Sequence, residues 1–125
     1  MKYMLLTYLD EKAWEAMTPA QQKAEMLKCE PHVKRLVAER KVLDGAPLHP
    51  TTTATTLRPR AGKPLITDGP FAEAREQLGG YSLIEAADLD EAIAIAAGFM
   101  TDSTLASIEV RPVVDFSLET MEARS

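Results

Sequence analysis

One histidine and one aspartate in this sequence stand where their side chains could move or hold a proton. His32 lies at the edge of an apolar helical stripe, one turn from Cys29 and from Leu36. A histidine there acts as a general base when a carboxylate orients it. Otherwise it is a half-buried side chain that hydrogen-bonds a carbonyl or water, and this is the commoner case.

Asp68 begins the turn Asp-Gly-Pro-Phe, which ends at Phe71. Its carboxylate either accepts hydrogen bonds from the turn itself or points into a cleft as a catalytic or binding group. Gly69 supplies the backbone angles that the Pro70 ring requires. We expect Phe71 to pin the loop to the core.

Other polar side chains follow this turn or border the predicted strands. Arg75 and its charged neighbours either clamp an anionic ligand or form a solvated surface. Tyr8 and Tyr81 lie on strands that we expect to border a cleft, where a phenol packs in the core or hydrogen-bonds a ligand. Two histidines and one cysteine without ligand spacing predict no metal site, and no nucleotide-binding fingerprint occurs. We therefore expect neither a metal nor a cofactor.

The composition limits the class of protein. The chain has 125 residues, 46% of them hydrophobic and 26% charged, with a net charge of −5. This length fits one domain, and a negative chain with dispersed basic residues is not expected to bind nucleic acid. No apolar run is long enough to span a membrane and no signal peptide is visible. The single Cys29 cannot form an internal disulfide, so we expect a reducing cytoplasm.

Two helices are indicated by capping signals and apolar spacing. Thr18 with Gln21 forms a capping box around Pro19, and an apolar stripe continues from there at helical spacing. Pro31 interrupts this helix, so we expect a kink or a fresh start there. A second helix begins at the cap Asp88.

The strands are indicated by β-prone runs between turns. Residues 2–9, KYMLLTYL, are apolar on both alternations and predict a central strand. Further strands are expected from 42–43, within 51–60 and 65–67 as a hairpin, at 81–85, and at 107–114. Pro112 in the last of these indicates an edge position or a strand end. We interpret the glycine pair before Tyr81 as a bulge or a close backbone approach.

The order strand, helix, strand, hairpin, strand, helix, strand predicts an α+β ferredoxin-like (βαββαβ) sheet with helices on one face. The other face then has no cover within the chain, so we expect two sheets to pack face to face in a homodimer. Residues 1–116 form the predicted single domain, and residues 117–125 form a charged C-terminal tail.

Four blocks of this sequence resemble one family. Residues 67–97, TDGPFAEAREQLGGYSLIEAADLDEAIAIAA, are similar to the signature of the YCII-related domain in its DGPF subgroup. KYMLLTY near the amino terminus, TATTLRPR and the closing IEVRPV resemble the same subgroup in the same order. The likeness covers residues 2–114.

The resemblance implies a dimeric α/β barrel built from ferredoxin-like halves. It also implies a catalytic His–Asp pair in the cleft, which falls here on His32 and Asp68, with Asp102 as an alternative acid partner. In that case Arg75 and Tyr81 would hold a small organic substrate of a cofactor-free enzyme.

A second hypothesis starts from the same resemblance. Members of the DGPF subgroup are often encoded beside extracytoplasmic-function sigma factors. The chain would then be a ligand-binding or regulatory module with such a factor as its partner.

Overall fold

The computed structural model describes residues 1–100 and 106–116 and has two antiparallel sheets with helices. In chain order the elements are β1 (Lys2–Leu9), α1 (Glu11–Glu15), α2 (Pro19–Lys28), α3 (Glu30–Ala38), β2 (Val42–Pro47), a 3-10 turn (Thr51–Thr53), β3 (Thr55–Arg60), β4 (Lys63–Asp68), β5 (Gln77–Glu85), α4 (Leu89–Phe99) and β6 (Ala106–Pro112). No helix within the described residues has the length and apolar character to cross a membrane.

The main sheet has the strand order β2-β5-β1-β6, and every pair in it is antiparallel. The predicted central strand at residues 2–9 is confirmed, because β1 pairs with β5 on one side and β6 on the other. This order is compatible with a ferredoxin-like fold. The segment between β2 and β5 instead forms a separate two-stranded sheet of β3 and β4.

Two of the three predicted helix starts are confirmed by hydrogen bonds. The Oγ1 of Thr18 accepts from the backbone N–H of Gln21 at 3.2 Å, and the Oε1 of Gln21 accepts from the N–H of Thr18 at 2.9 Å. The Asp88 carboxylate accepts from the N–H of Glu91 at 2.9 Å. Each bond provides an acceptor for an N–H group that has no partner within the helix.

The third start concerns Pro31, where a kink or a fresh start was expected and a fresh start is found. α2 ends at Lys28, and α3 begins at Glu30 with Pro31 in its first turn. A proline is tolerated there because the first turn needs no N–H from that position. α2 and α3 are therefore two short helices rather than one long helix.

The core fills only part of the space between sheet and helices. Its strand residues Tyr3, Leu5 and Ile84 are at most 4% exposed. The helices cover them with Leu36 from α3 and with two alanines and one isoleucine of α4. Because successive side chains of a strand point to opposite faces, Met4 and Leu6 lie on the other face of the sheet, where they are half-buried.

The glycine pair lies inside β5 and produces the expected bulge. Thr7 pairs with Gly80 and Tyr8 pairs with Leu78, so Gly79 is the extra residue between them. A side chain on Gly79 would overlap Leu9. The bulge therefore lets Leu9 lie close over the β5 backbone.

The hairpin of β3 and β4 has the predicted pairing but not the predicted anchor. Leu57 pairs with Ile66, and both side chains are about three-fifths exposed, at 60% and 62%. Phe71, expected in the core, is 72% exposed, so that expectation was wrong. The guanidinium of Arg58 lies 5.0 Å from the centre of the Phe71 ring and donates to the Phe71 carbonyl at 2.6 Å. The loop is thus held by the contacts of Arg58 with Phe71 and not by burial of the Phe71 ring.

Candidate functional site

A cleft of about 440 Å³ lies between the helix-facing side of the main sheet and the helices. We call it the cleft. Its floor is formed mainly by Thr7, Leu9, Gly80, Ser82 and Ile108, and its walls by Trp14, Glu25, Met26, Cys29, Val33 and Phe99. Apolar side chains dominate this lining, and a few polar atoms interrupt it. Such a composition is typical of small-molecule sites.

The floor is open because small residues occupy the strands there. Gly45 and Ala46 of β2 pair with Ser82 and Tyr81 of β5, and all four line the cleft. At the other end of the same sheet face, large side chains of the core fill the corresponding volume. The change from large to small side chains along the strands therefore creates the cavity.

His32 lies between α3 and α4 rather than on the cleft surface. Its Nε2 is 2.9 Å from the carbonyl oxygen of Ile95, and its Nδ1 is 3.0 Å from the guanidinium of Arg35. Since a carbonyl only accepts and a guanidinium only donates, these partners assign the Nε2–H tautomer with Nδ1 as acceptor. Both ring nitrogens are therefore engaged within the helical layer.

The ring also fixes how closely the two helices approach. It meets Phe99 edge to face, with centroids 4.9 Å apart and planes at 82°. A methyl group on Gly98 would overlap ring atoms of His32. Only glycine lets α4 come this close, so His32 and Gly98 together set the position of the Phe99 wall.

Cys29 lines the cleft at the break between α2 and α3. Its Sγ lies 3.2 Å from the carbonyl oxygen of Phe99, which accepts the thiol hydrogen. Burial, and secondly the negative charge of Glu25, raise the pKa of the Cys29 thiol above its ordinary value. The thiol therefore stays protonated and behaves as part of the apolar wall.

Asp68 lies at the end of β4, opposite Thr55, and is exposed. Backbone and hydroxyl groups fasten the turn that follows. The N–H of Gly69 donates to the Ala54 carbonyl at 2.8 Å, and the Thr56 hydroxyl donates to the Gly69 carbonyl at 2.7 Å. Gly69 has φ +104°, an angle that favours glycine as expected.

The four predicted site residues thus lie in different surroundings within the described chain. The hydrogen bonds of His32 go to α3 and α4, whereas Asp68 ends a strand of the hairpin sheet. Tyr81 pairs with Leu6, which sets its ring on the face away from the core, while its residue also borders the cleft. Arg75 is exposed in the loop before β5. Asp102 lies outside the described residues.

A second cavity of about 630 Å³ lies beside the Asp-Gly-Pro-Phe turn. Pro70 and Phe71 line it, together with Tyr8, His49 and Glu76. His49 is exposed, as its position between prolines predicts. Its walls come largely from loops and from the sheet face without helices.

No group of three or more His, Cys, Asp and Glu residues is placed to hold a metal ion within residues 1–100 and 106–116. The side chains with acid-base capacity are spread over separate elements.

The comparison with known proteins gives the family. The YCII-related domain matches residues 1–117. This chain belongs to the YCII-related family. A relative from Rhizobium meliloti (strain 1021), named only as an uncharacterized protein, is 39% identical over 114 residues, which cover 90% of this chain and 92% of that one.

Sequence reasoning missed several wall residues of this YCII-related chain, among them Trp14 and Glu25. Trp14 belongs to α1, a helix of five residues capped by the Asp10 carboxylate, which accepts from the N–H of Ala13 at 3.1 Å. The Asp10 cap was the available signal, but five residues carry too little periodicity to reveal a helix. Glu25 lies in a polar stretch of α2 that gave no signal.

Because His32 contacts Gly98, we expect Gly98→Ala to destabilise the protein. In a helix interior Gly→Ala usually stabilises by about 1 kcal/mol. Here Gly98→Ala should lower the free energy of unfolding by about 1–3 kcal/mol, because the methyl group overlaps the ring. Urea denaturation measures the change.

The double variant gives the control for this prediction. In a His32→Ala background the ring is absent, so Gly98→Ala should become stabilising, and the two substitutions should couple strongly in a double-mutant cycle. Additive effects would show that the ring does not limit the approach of the helices.

Proposed function

We propose that this YCII-related protein binds a small, largely apolar organic molecule in the cleft. The observation that supports this most strongly is the composition of the cavity. Apolar walls surround a volume of about 440 Å³, which is within the range of small-molecule sites. Small residues on the floor leave room for a flat ligand to lie on the sheet.

The walls supply contacts for such a ligand. Trp14 and Phe99 offer aromatic surface, and Val33 and Ile108 offer aliphatic surface. Thr7 and Ser82 bring hydroxyl groups to the floor, which can orient a polar substituent. Apolar burial gives the affinity in this arrangement, and the few polar groups give the orientation.

The enzymatic form of the proposal uses His32 and Asp68 as a catalytic pair, with Arg75 and Tyr81 holding the substrate. For proton transfer, His32 must give up its bond to Arg35, and a carboxylate must come within hydrogen-bond reach of the ring. We therefore rank binding without chemistry above catalysis. A crystal structure of the assembled protein with Asp68 and Asp102 both far from His32 would exclude the pair.

The regulatory form of the proposal makes an extracytoplasmic-function sigma factor the partner of this chain in the cytoplasm. It rests on membership of the DGPF subgroup, which the Asp68–Phe71 turn supports. A sequence profile of that subgroup that matched this chain no better than the wider family would remove its basis. Affinity capture without such a factor would count directly against it.

We further propose that two chains pair through the sheet face opposite the helices, as in a dimeric α/β barrel. Met4 and Leu6 of β1 lie on that face beside Leu83 and Tyr81 of β5. All four are half-buried. An apolar sheet face next to water is unfavourable, and a twofold partner removes it from water at both copies.

The binding proposal predicts that the neutral fluorophore 1-N-phenylnaphthylamine brightens on entering the cleft. Thr7→Phe should reduce its affinity at least about tenfold, because the ring fills the floor. Thr52→Phe, at an exposed position that lines neither cavity, should leave binding unchanged. Fluorescence titration measures both affinities.

A second variant that fills the cleft keeps the test valid if Thr7→Phe does not fold. Val33→Phe fills the cleft from the helix side and should weaken the same probe while circular dichroism shows native helix. Equal binding by wild type, Thr7→Phe and Val33→Phe would overturn the proposal.

The pairing proposal predicts a solution mass of about twice the 13.7 kDa of one chain. Leu6→Glu should give single chains, because it puts a charge into the buried face. Ile93→Glu, at a position on α4 that is 50% exposed, should leave the mass unchanged. Light scattering after size-exclusion chromatography measures the mass, and a wild-type mass of one chain would contradict the proposal.

A further inference from the structure

Glu25 is the one ionisable carboxylate among the described residues that line the cleft. Its side chain is 18% exposed, and Lys28 pairs with it through an Nζ–Oε1 distance of 2.8 Å. Lys28 itself is 48% exposed and is not among the residues that line the cleft. A carboxylate that is largely withdrawn from water needs positive partners. Glu25 therefore combines an ion pair with Lys28 and a place in the lining of the cleft.

The charge of Glu25 acts on the inside of the cleft. The adjacent Cys29 has a raised pKa, and after burial the cause is the negative charge of Glu25. The thiol also points at the Phe99 carbonyl oxygen, 3.2 Å away, which adds a negative dipole end at the same wall. A ligand in the cleft thus meets a negative potential on that side.

The aromatic rings of the cleft and the net charge of the chain also attract cations. Trp14 and Phe99 are both in the lining, and the faces of such rings attract cations at short range. The chain as a whole carries a net charge of −5, which raises the local concentration of cations and lowers that of anions.

We propose that the ligand of the cleft is an organic cation, with a flat apolar body and a protonated amine or quaternary ammonium group that pairs with Glu25. This inference rests on the proposed binding function and specifies its ligand class. The positive group lies beside the Glu25 carboxylate, where it pairs by charge, and a protonated amine can in addition donate a hydrogen bond to a carboxylate oxygen. The ligand therefore shares the charge of Glu25 with Lys28. The apolar body lies over the small residues of the floor.

Three compounds of similar size test the charge preference. They are benzyltrimethylammonium, benzyl alcohol and phenylacetate, which carry positive, zero and negative charge. Trp14 is the single tryptophan of the chain and lines the cleft, so its fluorescence reports binding. At low salt the cation should bind at least about tenfold more tightly than phenylacetate.

Matched variants assign that preference to Glu25. Glu25→Gln should reduce the affinity for the cation about tenfold and leave that for benzyl alcohol unchanged. Glu39→Gln makes the same change of charge at an exposed position and should have little effect. Lys28→Gln should strengthen cation binding, because a competing positive charge is removed.

The outcomes separate this inference from the binding proposal. If 1-N-phenylnaphthylamine and benzyl alcohol bind but the cation shows no advantage, or keeps its advantage in Glu25→Gln, the cation assignment is wrong and the cleft remains a binding site. If neither the neutral fluorophore nor any of the three compounds binds the wild type, both proposals fail.

Discussion

The contact of His32 with Gly98 and with the Ile95 carbonyl is the constraint on which the helical layer depends. It joins α3 to α4 through a ring that fits only because Gly98 has no side chain. The same two helices cover Leu5 and Ile84 in the core. They also carry Cys29, at the start of α3, and Phe99, at the end of α4, into the wall of the cleft. A histidine that looks catalytic in the sequence thus holds the layer that shapes the cavity.

Local signals in the sequence predicted much of the fold. The capping box at Thr18 and the cap at Asp88 depend on contacts within one helical turn, so residue types reveal them. Residues 2–9 are apolar on both alternations, which likewise predicts a central strand, and β1 pairs with a strand on each side. Membership of the YCII-related family follows from the match over residues 1–117.

The parts that could not be predicted depend on contacts between distant elements. Phe71 was expected in the core, but its ring is exposed and lies against Arg58, thirteen positions earlier in the chain. The direction of the His32 ring depends on the approach of α4, which the absence of a side chain at Gly98 permits. The cleft itself was expected, but its wall at Trp14 and Glu25 was not, because neither residue stands in a recognisable motif. Spacing along the chain shows which residues can do chemistry, and packing decides which of them share a cavity.

The most direct test of the central claim is an amide ¹H–¹⁵N titration of the protein with 1-N-phenylnaphthylamine. We expect the largest shifts at backbone amides of the floor and walls, such as Thr7, Gly80, Val33 and Ile108. Amides of the hairpin, such as Leu57 and Ile66, should hardly move. Shifts confined to the hairpin and to the loop around Phe71, with none at the floor, would contradict the claim that the cleft is the binding site.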